Sequence, residues 1–357
     1  MPRSANMPSR DAFDPPPPSM FEQGRVLLMQ LQHLAHALRH HNPQHGALLR
    51  AVIMSMRIVR ECVNSDLANE FDCDSNSSNT MANKTSIYVS KLIQRCQDEA
   101  GVTCPDAAAV HTNRSSLVDR EMEAIKGLMN TPFSLQTSTL DTLRRVIQHL
   151  RQQEETRPFH VQLRACQLQL STSYDVSSFA YGSTPLFTWI DLFRSPVLVD
   201  CIARIKESPQ QHASACTVFG SSAGSLVFFT SLICGIRVQG IEILPFLVET
   251  STDTQRRFLM EERVDFQCRD MLTADLQHVQ LLVLTSQCWE AGLIKALVNK
   301  LEKELPPLAL VLDYTAALSS AGGFTLVQST TGVVSWNKSH TFNVYRNTAA
   351  LHNQHDG

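Results

Sequence analysis

The stretch GSSAG at residues 220–224 combines residue types that could do chemistry. It follows a short apolar run, and a serine between glycines at such a point is typical of the strand-to-helix turn that exposes a nucleophilic serine. Asp313 and His340 follow later in the chain, in the order that a hydrolytic triad with Ser222 would need. The same alternation of small residues also suits a loop whose backbone approaches a nucleotide cofactor, with Ser222 in place of a glycine. Both interpretations stay open on the loop alone.

Two acids stand at positions that favour the cofactor interpretation. Glu242 lies near the end of the apolar segment RVQGIEI, about twenty residues after the loop, where dinucleotide-binding proteins hold the ribose hydroxyls. Asp270 lies near the end of a further segment with the pattern of a strand, VDFQCRDM. Because the carboxyl ends of parallel strands meet at one edge of a sheet, we expect the loop and both acids to lie together. A hydrolase would leave Glu242 and Asp270 without a role.

The elements that must position these residues divide the chain into four parts. Residues 1–20 are polar and proline-rich and are predicted to be disordered, as is the tail at 349–357. Residues 21–156 carry apolar side chains at three- and four-residue steps and are predicted to be all-helical. At about Pro158 the segment FHVQLRACQLQLS alternates apolar and polar residues, which indicates a bulged strand. A second domain is therefore predicted over 157–348.

Strand and helix patterns alternate through this second domain. The segment PLFTWIDLFRSPVLVDCIARIKES is predicted to be helical and precedes most of the strands. The later strand segments are ACTVFG, RVQGIEI, VDFQCRDM, HVQLLVLTS and LALVLDYT, with helices at SLVFFTSLICG, STDTQRRFLMEE and EAGLIKALVNKLEKEL. GVVSW and HTFNVYRN then form a closing pair of strands. This order predicts an α/β fold with a doubly wound, mostly parallel sheet and a terminal hairpin.

Composition and charge argue against several classes of protein. The 357 residues are 43% hydrophobic, which suits a sizeable core, and the formal net charge of -3 argues against a strong electrostatic grip on nucleic acid. No apolar run is long enough to span a membrane, and the first residues lack the apolar region of a secretory signal. The 10 cysteines form no C-x-x-C pair, which predicts reduced thiols in a cytoplasmic or nuclear protein.

Three histidines share one face of a predicted helix. His33, His36 and His40 have a spacing that can bind a metal ion. No carboxylate or cysteine completes the set, and a solvated polar face opposite the leucines explains the spacing better. No metal site is predicted.

The glycine loop, the two acids and the strand LLVLTS together resemble the class I S-adenosylmethionine-dependent methyltransferases. The resemblance covers roughly residues 159–347 and implies a seven-stranded Rossmann-like sheet with a reversed terminal hairpin, and S-adenosyl-L-methionine as cofactor. The loop would line the methionine part, and Glu242 would hold the ribose. Ile243, Asp270 and the Met271 backbone would meet the adenine. The residues that the resemblance assigns to cofactor binding are Tyr181, Thr184, Gly220, Ser222, Gly224, Glu242, Ile243, Asp270 and Met271.

Three further segments are similar to the non-SET histone lysine methyltransferases of the disruptor-of-telomeric-silencing type. FAYGSTPLF is similar to their Tyr-Gly-Glu-Thr/Ser loop, and Val333–Trp336 is similar to their Val-Ser-Trp segment. LTSQCW lies where that family has an Asn-Asn-x-x-Phe motif beside the transferred methyl group. Thr285 and Ser286 replace the asparagine pair, and Val218 and Ser183 stand where the family has acids.

The resemblance implies a methyltransferase that acts on a protein, with a histone lysine as one candidate acceptor. Positioning and exclusion of water would carry the reaction. The departures keep a second hypothesis open, a catalytically inactive methyltransferase-like module that acts in protein interactions, and a serine hydrolase with Ser222 as nucleophile is the third. Neither a membrane nor a nucleic-acid partner is expected, and the oligomeric state stays open. The acceptor side of the pocket would be formed by Tyr181, Thr285, Ser286 and Trp289.

Overall fold

The computed structural model divides the chain into two compact units, Met1–Val110 and His111–Gly357. The segments 1–20 and 350–357, the histidine face, Tyr181 and Trp336 lie outside the described residues. The structure describes residues 27–28, 30–31, 34, 38, 48, 51–56, 59, 88–98, 107–128, 135–170, 179, 182–208, 213–335 and 337–349.

The first unit is helical where the structure describes it. Residues 51–56 and 88–98 are helical, and each has buried positions at the spacing of one helix face. Among its described residues, the buried apolar ones are Leu31, Leu34, Leu38, Leu48, Val52, Val59, Val89, Leu92 and Cys96.

The second unit is built on a seven-stranded sheet. The first five strands are parallel, and the last strand runs antiparallel to both of its neighbours. The strand order β3-β2-β1-β4-β5-β7-β6 is the one that the methyltransferase resemblance implies, so the predicted fold class is confirmed. The strands are β1 (Cys216–Phe219), β2 (Val238–Glu242), β3 (Val264–Cys268), β4 (Leu281–Leu284), β5 (Leu310–Asp313), β6 (Phe324–Val334) and β7 (Asn337–Asn347).

Helices cover both faces of this sheet, and every residue of β1, β4 and β5 is therefore buried. The second helix packs against the sixth, and the third against the seventh. The helices are α1 (Ala107–Leu128), α2 (Thr137–Glu154), α3 (Arg157–Gln169), α4 (Leu186–Phe193), α5 (Pro196–Glu207), α6 (Ser225–Cys234), α7 (Pro245–Arg257) and α8 (Ala291–Glu304).

The strand predicted at FHVQLRACQLQLS is wrong, because this segment forms α3. The Thr156 side chain accepts a hydrogen bond from the backbone N–H of Phe159, and Pro158 lies in the first turn, as is typical of a helix start. Phe159, Leu163 and Cys166 are the buried residues of the helix and recur at i, i+4 and i+7. The residue pattern of this segment fits the period of a strand as well as that of a helix. The apolar stripe that packs on α7 favours the helix.

The segment PLFTWIDLFRSPVLVDCIARIKES, predicted to be helical, forms two helices, α4 and α5. Pro196 cannot continue a helix that arrives from α4, but its fixed φ suits the first turn of α5. Ser195 caps that new helix, since its side chain accepts the backbone N–H of Leu198.

The carboxyl edge of the parallel strands is where the candidate site lies. From β1 the chain continues to β2 and β3 on one side, and it then crosses to β4 on the other side of β1. Ligands of such sheets bind at this switch point. The predicted hairpin of β6 and β7 is longer than expected, because β6 begins at Phe324. It also extends past the edge, since Asn343 in β7 pairs with Asp313, the last residue of β5, while β7 begins at Asn337.

The described residues contain neither a candidate membrane span nor a candidate metal site. No described helix is long and apolar enough to cross a membrane. In the same part of the chain, no group of three or more His, Cys, Asp or Glu side chains is arranged to hold a metal ion.

Candidate functional site

The GSSAG loop leaves β1 at the switch point. Gly220, Ser222 and Gly224 have φ angles of 69°, 54° and 87°, so all three alternate positions lie in the left-handed region. Glycine adopts this region freely, whereas it costs a serine roughly 1–3 kcal/mol. The backbone N–H groups of Gly220 and Ser221 donate to the Ile241 carbonyl at 2.9 and 3.1 Å. These bonds tie the loop to the end of β2.

Glu242 holds the same loop through its side chain. Its Oε2 accepts from the backbone N–H of Ser222 at 2.9 Å, and its Oε1 accepts from Ile243 at 2.8 Å and Leu244 at 3.0 Å. Burial raises the pKa of the Glu242 carboxyl, although the three N–H groups act in the opposite direction. A carboxylate has about four lone-pair sites, so one acceptor position remains beyond these three bonds.

Thr285 and Trp289, which follow β4, lie against Gly220. The Thr285 hydroxyl donates to the carbonyl oxygens of Phe219 and Gly220, each at 3.0 Å. A Cβ at position 220 would collide with that hydroxyl and would lie 3.3 Å from the Trp289 ring. This contact explains the glycine at 220. It also joins the loop predicted for the cofactor to two residues predicted for the acceptor side.

Gly224 ends the loop and precedes α6. A Cβ there would come within 2.8 Å of the Phe266 ring and 2.9 Å of the Phe228 ring, so close packing requires a glycine. As the N-cap residue of α6, Gly224 offers no side chain to the first-turn N–H groups. A helix N-terminus without a capping side chain, at the carboxyl edge of the sheet, favours a negatively charged group.

Ser286 is bonded across to β5. Its hydroxyl donates to Oδ1 of Asp313, and both side chains are buried. Asp313 also accepts from the backbone N–H groups of Thr315 at 3.0 Å and Ala317 at 3.1 Å. Burial raises the pKa of Asp313, and these hydrogen bonds oppose the rise. The Ser286 hydroxyl therefore joins the ends of β4 and β5, and Asp313 caps the loop that follows β5.

The predicted adenine-side residues divide between two places. Asp270 follows β3, and its side chain accepts the backbone N–H of Leu272 at 2.8 Å at the start of a 3-10 turn. Met271 packs against the apolar cluster that contains the ends of β1 and β2. Ile243 packs instead against the cluster that α3 forms with Ala223 of the glycine loop.

The segment after Tyr181 is attached to the sheet edge and to the hairpin. Thr184 is buried, and its hydroxyl lies 2.7 Å from the Tyr314 hydroxyl, just beyond β5. The Ser183 backbone N–H donates to Oγ of Ser335 at 3.0 Å, and the Ser183 carbonyl accepts from the Ser335 N–H at 2.9 Å. Two of the three segments that resemble the histone lysine methyltransferases are therefore in direct contact, through Ser183 and Ser335.

The triad that a serine hydrolase would need is not assembled in the described residues. The Asp313 carboxyl bonds the three groups named above and does not bond His340. His340 lies 5.6 Å from the Tyr314 ring and 4.8 Å from the Phe342 ring, measured between ring centroids. Within the same part of the chain, the Ser222 side chain makes no hydrogen bond with His340 or Asp313.

Val218 is fully buried in the middle of the sheet. It packs in the main apolar core together with helix α6. An acid at this position would be enclosed by apolar side chains, so the valine suits its surroundings.

A buried ion pair that sequence reasoning missed holds the start of α4. Glu121 of α1 is fully buried and accepts from Arg151 of α2 at 2.8 and 3.2 Å and from the backbone N–H of Leu186 at 3.0 Å. Arg151 also pairs with Glu154 at 2.9 Å. Leu186 lies in the same FAYGSTPLF segment as Thr184. A signal was present, because Glu121 lies one helical turn before the buried Ile125, on the apolar stripe of α1.

Comparisons with known proteins give the chain no family. No protein-family model and no curated protein matches it significantly. Solved structures similar to part of it include an RNA methyltransferase from Salinibacter ruber in complex with S-adenosyl-L-homocysteine, with 17% identity over 42% of this chain and 90% of that chain and a TM-score of 0.30. TrmN from Thermus thermophilus has 14% identity over 43% and 50%, with a TM-score of 0.33. TYW2 from P. horikoshii in complex with MeSAdo has 10% identity over 43% and 64%, with a TM-score of 0.30. Values this low support no assignment of activity, cofactor or substrate to this chain.

Proposed function

We propose that the second unit binds S-adenosylmethionine at the carboxyl edge of β1 and β2 and transfers its methyl group to a protein. The observation that carries the proposal is the hydrogen bond between Ser222 and Glu242. This bond attaches the loop after the first strand to the acid that ends the second strand. Three residues of the loop have left-handed backbone conformations. Doubly wound sheets bind nucleotide cofactors with this pair of features.

The residues at this edge fit the cofactor in charge and in hydrogen bonding. Glu242 retains one acceptor position, which a ribose hydroxyl would fill. The N-terminus of α6 would hold the carboxylate of the methionine part, because no side chain caps it. Asp270, Met271 and Ile243 would flank the adenine.

When bound, the cofactor supplies a methyl group on a sulfonium centre, and the chain needs to position the acceptor and exclude water. Trp289 and Thr285 contact Gly220, so they would cover the loop at the point where the acceptor enters. Ser286 acts indirectly in this proposal, by holding the end of β4 on Asp313. Tyr181 completes the acceptor side that the resemblance implies.

The protein acceptor, and a histone lysine in particular, comes from the resemblance alone. The contact between Ser183 and Ser335 supports treating the two similar segments as one feature. Histones are therefore the first acceptor to test, and a total protein extract is the second.

Calorimetric titration of the full chain with S-adenosylmethionine and with S-adenosylhomocysteine tests cofactor binding. We expect saturable binding by the wild type and a loss of about tenfold or more in Glu242→Gln, because a hydrogen bond to a charged group is removed. Glu249→Gln, an exposed acid on α7, is the matched control and is expected to bind as the wild type does. Absence of binding by the folded wild type would rule out the methyltransferase.

A catalytically inactive module is the second candidate, and one observation favours it. The hydroxyl groups of Thr285 and Ser286 are both bonded to the protein, at positions where the resembling family has functional side chains. Transfer of a labelled methyl group to histones or to the extract separates the two candidates. Cofactor binding without transfer to either would favour the inactive module.

The hydrolase alternative has its own test. Labelling with a fluorophosphonate probe would modify Ser222 if it were an activated nucleophile. We expect no adduct, because no histidine activates this serine in the described residues.

A further inference from the structure

We propose a binding site for a phosphorylated side chain of a partner protein, in a cavity between α1, α4 and the β6–β7 hairpin. The cavity has a volume of about 260 Å³. It shares no lining residue with the glycine loop or with the segment after β4. Its polar and aromatic lining includes Arg120, Phe187, Asp191, Thr331, Lys338 and Ser339.

Two cations line this cavity without an acid of their own. The guanidinium carbon of Arg120 lies 4.1 Å from the centre of the Phe187 ring, and this stacking leaves the N–H groups at the guanidinium edge able to donate. Among the described residues, neither Arg120 nor Lys338 forms an ion pair. Asp191, the acid of the lining, pairs with Arg194 at 3.3 Å. Two positive charges are therefore left unbalanced.

The close approach of the hairpin to α4 shapes the cavity in advance of any ligand. The Thr188 hydroxyl donates to the Val333 carbonyl at 2.8 Å, and a Cβ at Gly332 would collide with the Thr188 methyl group. The hydroxyl groups of Thr331 and Ser339 bond no other group in the described part of the chain. Both therefore remain able to donate to an anion.

A phosphate monoester matches this set of groups better than other anions. It carries a charge of about -1.5 to -2 at neutral pH and three acceptor oxygens, which two cations and two hydroxyls complement. A carboxylate would leave one positive charge unbalanced. A nucleic acid needs a series of phosphate contacts, whereas this lining offers two cations on a chain with a net charge of -3. A phosphorylated serine or threonine of a partner protein is the occupant that these observations favour.

The site does not depend on methyl transfer, and its test uses the full chain without the cofactor. The probes are a short capped glycine–alanine peptide with one central phosphoserine, the same peptide with glutamate or serine, inorganic phosphate, and single-stranded RNA. Calorimetry should show saturable binding of the phosphoserine peptide, weaker binding of the glutamate peptide and none of the serine peptide. Arg120→Gln and Lys338→Gln should each weaken binding about tenfold or more. Lys126→Gln, an exposed change on the same helix, should leave it unchanged.

A variant that binds more tightly distinguishes a change in the site from a loss of structure, because a misfolded protein would not gain affinity. Asp191→Asn removes the acid of the lining and releases Arg194, so it should tighten binding of the phosphoserine peptide about twofold to fivefold. The site is refuted if the phosphoserine peptide does not saturate, or if Arg120→Gln and Lys338→Gln bind it as tightly as the wild type. Inorganic phosphate bound as tightly as the peptide would overturn the assignment to a side chain. RNA bound more tightly, with a steep salt dependence, would overturn the assignment to a protein.

Discussion

The backbone N–H of Ser222 donates to the side-chain carboxylate of Glu242 at 2.9 Å, between residues that are 20 positions apart in the chain. The bond joins the loop after β1 to the end of β2. It makes the acid part of the loop's own structure as well as a candidate ligand for a ribose. A change at Glu242 would therefore alter the stability of the loop as well as the proposed binding of the cofactor.

The first prediction concerns the stability that this carboxylate provides. Glu242→Ala leaves the N–H groups of Ser222, Ile243 and Leu244 without their acceptor, so we expect a loss of about 1–3 kcal/mol in the free energy of unfolding. Urea unfolding of both proteins measures it. Glu249→Ala should change the free energy by less than about 0.5 kcal/mol, because the side chain is exposed. Equal losses in the two variants would contradict the role of the three hydrogen bonds.

The second prediction is that the free energy of unfolding depends on pH through the Glu242 carboxyl. Burial raises the pKa of Glu242 above its ordinary value of 4.5, so the unfolded chain loses this proton first as the pH rises. The part of the stability that depends on this proton is fully present below pH 4.5 and is lost as the pH rises through the folded pKa. Glu242→Gln removes this dependence. The pKa of Asp313 is also raised. The measurement is therefore the difference between wild type and variant in the slope of the free energy of unfolding against pH. Identical slopes would show that the Glu242 pKa is not raised.

The third prediction concerns the contact between Gly220 and Thr285. Gly220→Ala should destabilise the protein by roughly 1–3 kcal/mol from its positive φ, with a further loss from the collision with the Thr285 hydroxyl. Thr285→Ala removes that hydroxyl, so the double variant should lose less than the sum of the two single variants. Gly292→Ala, in open space on α8, is the control and should be neutral or slightly stabilising. Additive losses would mean that the two residues do not interact.

The fourth prediction concerns the buried pair of Glu121 and Arg151. Arg151→Met leaves the buried Glu121 uncompensated, and we expect a loss of about 3–5 kcal/mol in thermal or urea unfolding. Lys126→Met breaks the exposed pair with Glu123 on the same helix and should cost about 0–1 kcal/mol. Equal losses in the free energy of unfolding of the two variants would show that the buried pair contributes no more to stability than the exposed pair.

Much of the sheet unit could be predicted from sequence, because its strands are short, continuous apolar runs separated by helical patterns. Glu242 and Gly220 could also be identified as candidate site residues. An acid at the end of one strand and a glycine in the turn after another are recognised from their neighbours in the chain. The segment that forms α3 was not, because its residues satisfy the strand period and the helix period together. Only the apolar face of α7, on which it packs, distinguishes the two.

The order of β1–β7 and of the helices between them was predictable from the sequence, as were the types of residue that reach the carboxyl edge, because local periodicity and turn chemistry depend on neighbouring residues. The tertiary structure decided what those residues do there. The hydroxyl groups of Thr285 and Ser286 are bonded to groups 65 and 27 positions away, at Gly220 and Asp313. Such partners are chosen by strand order and packing, which no local pattern records.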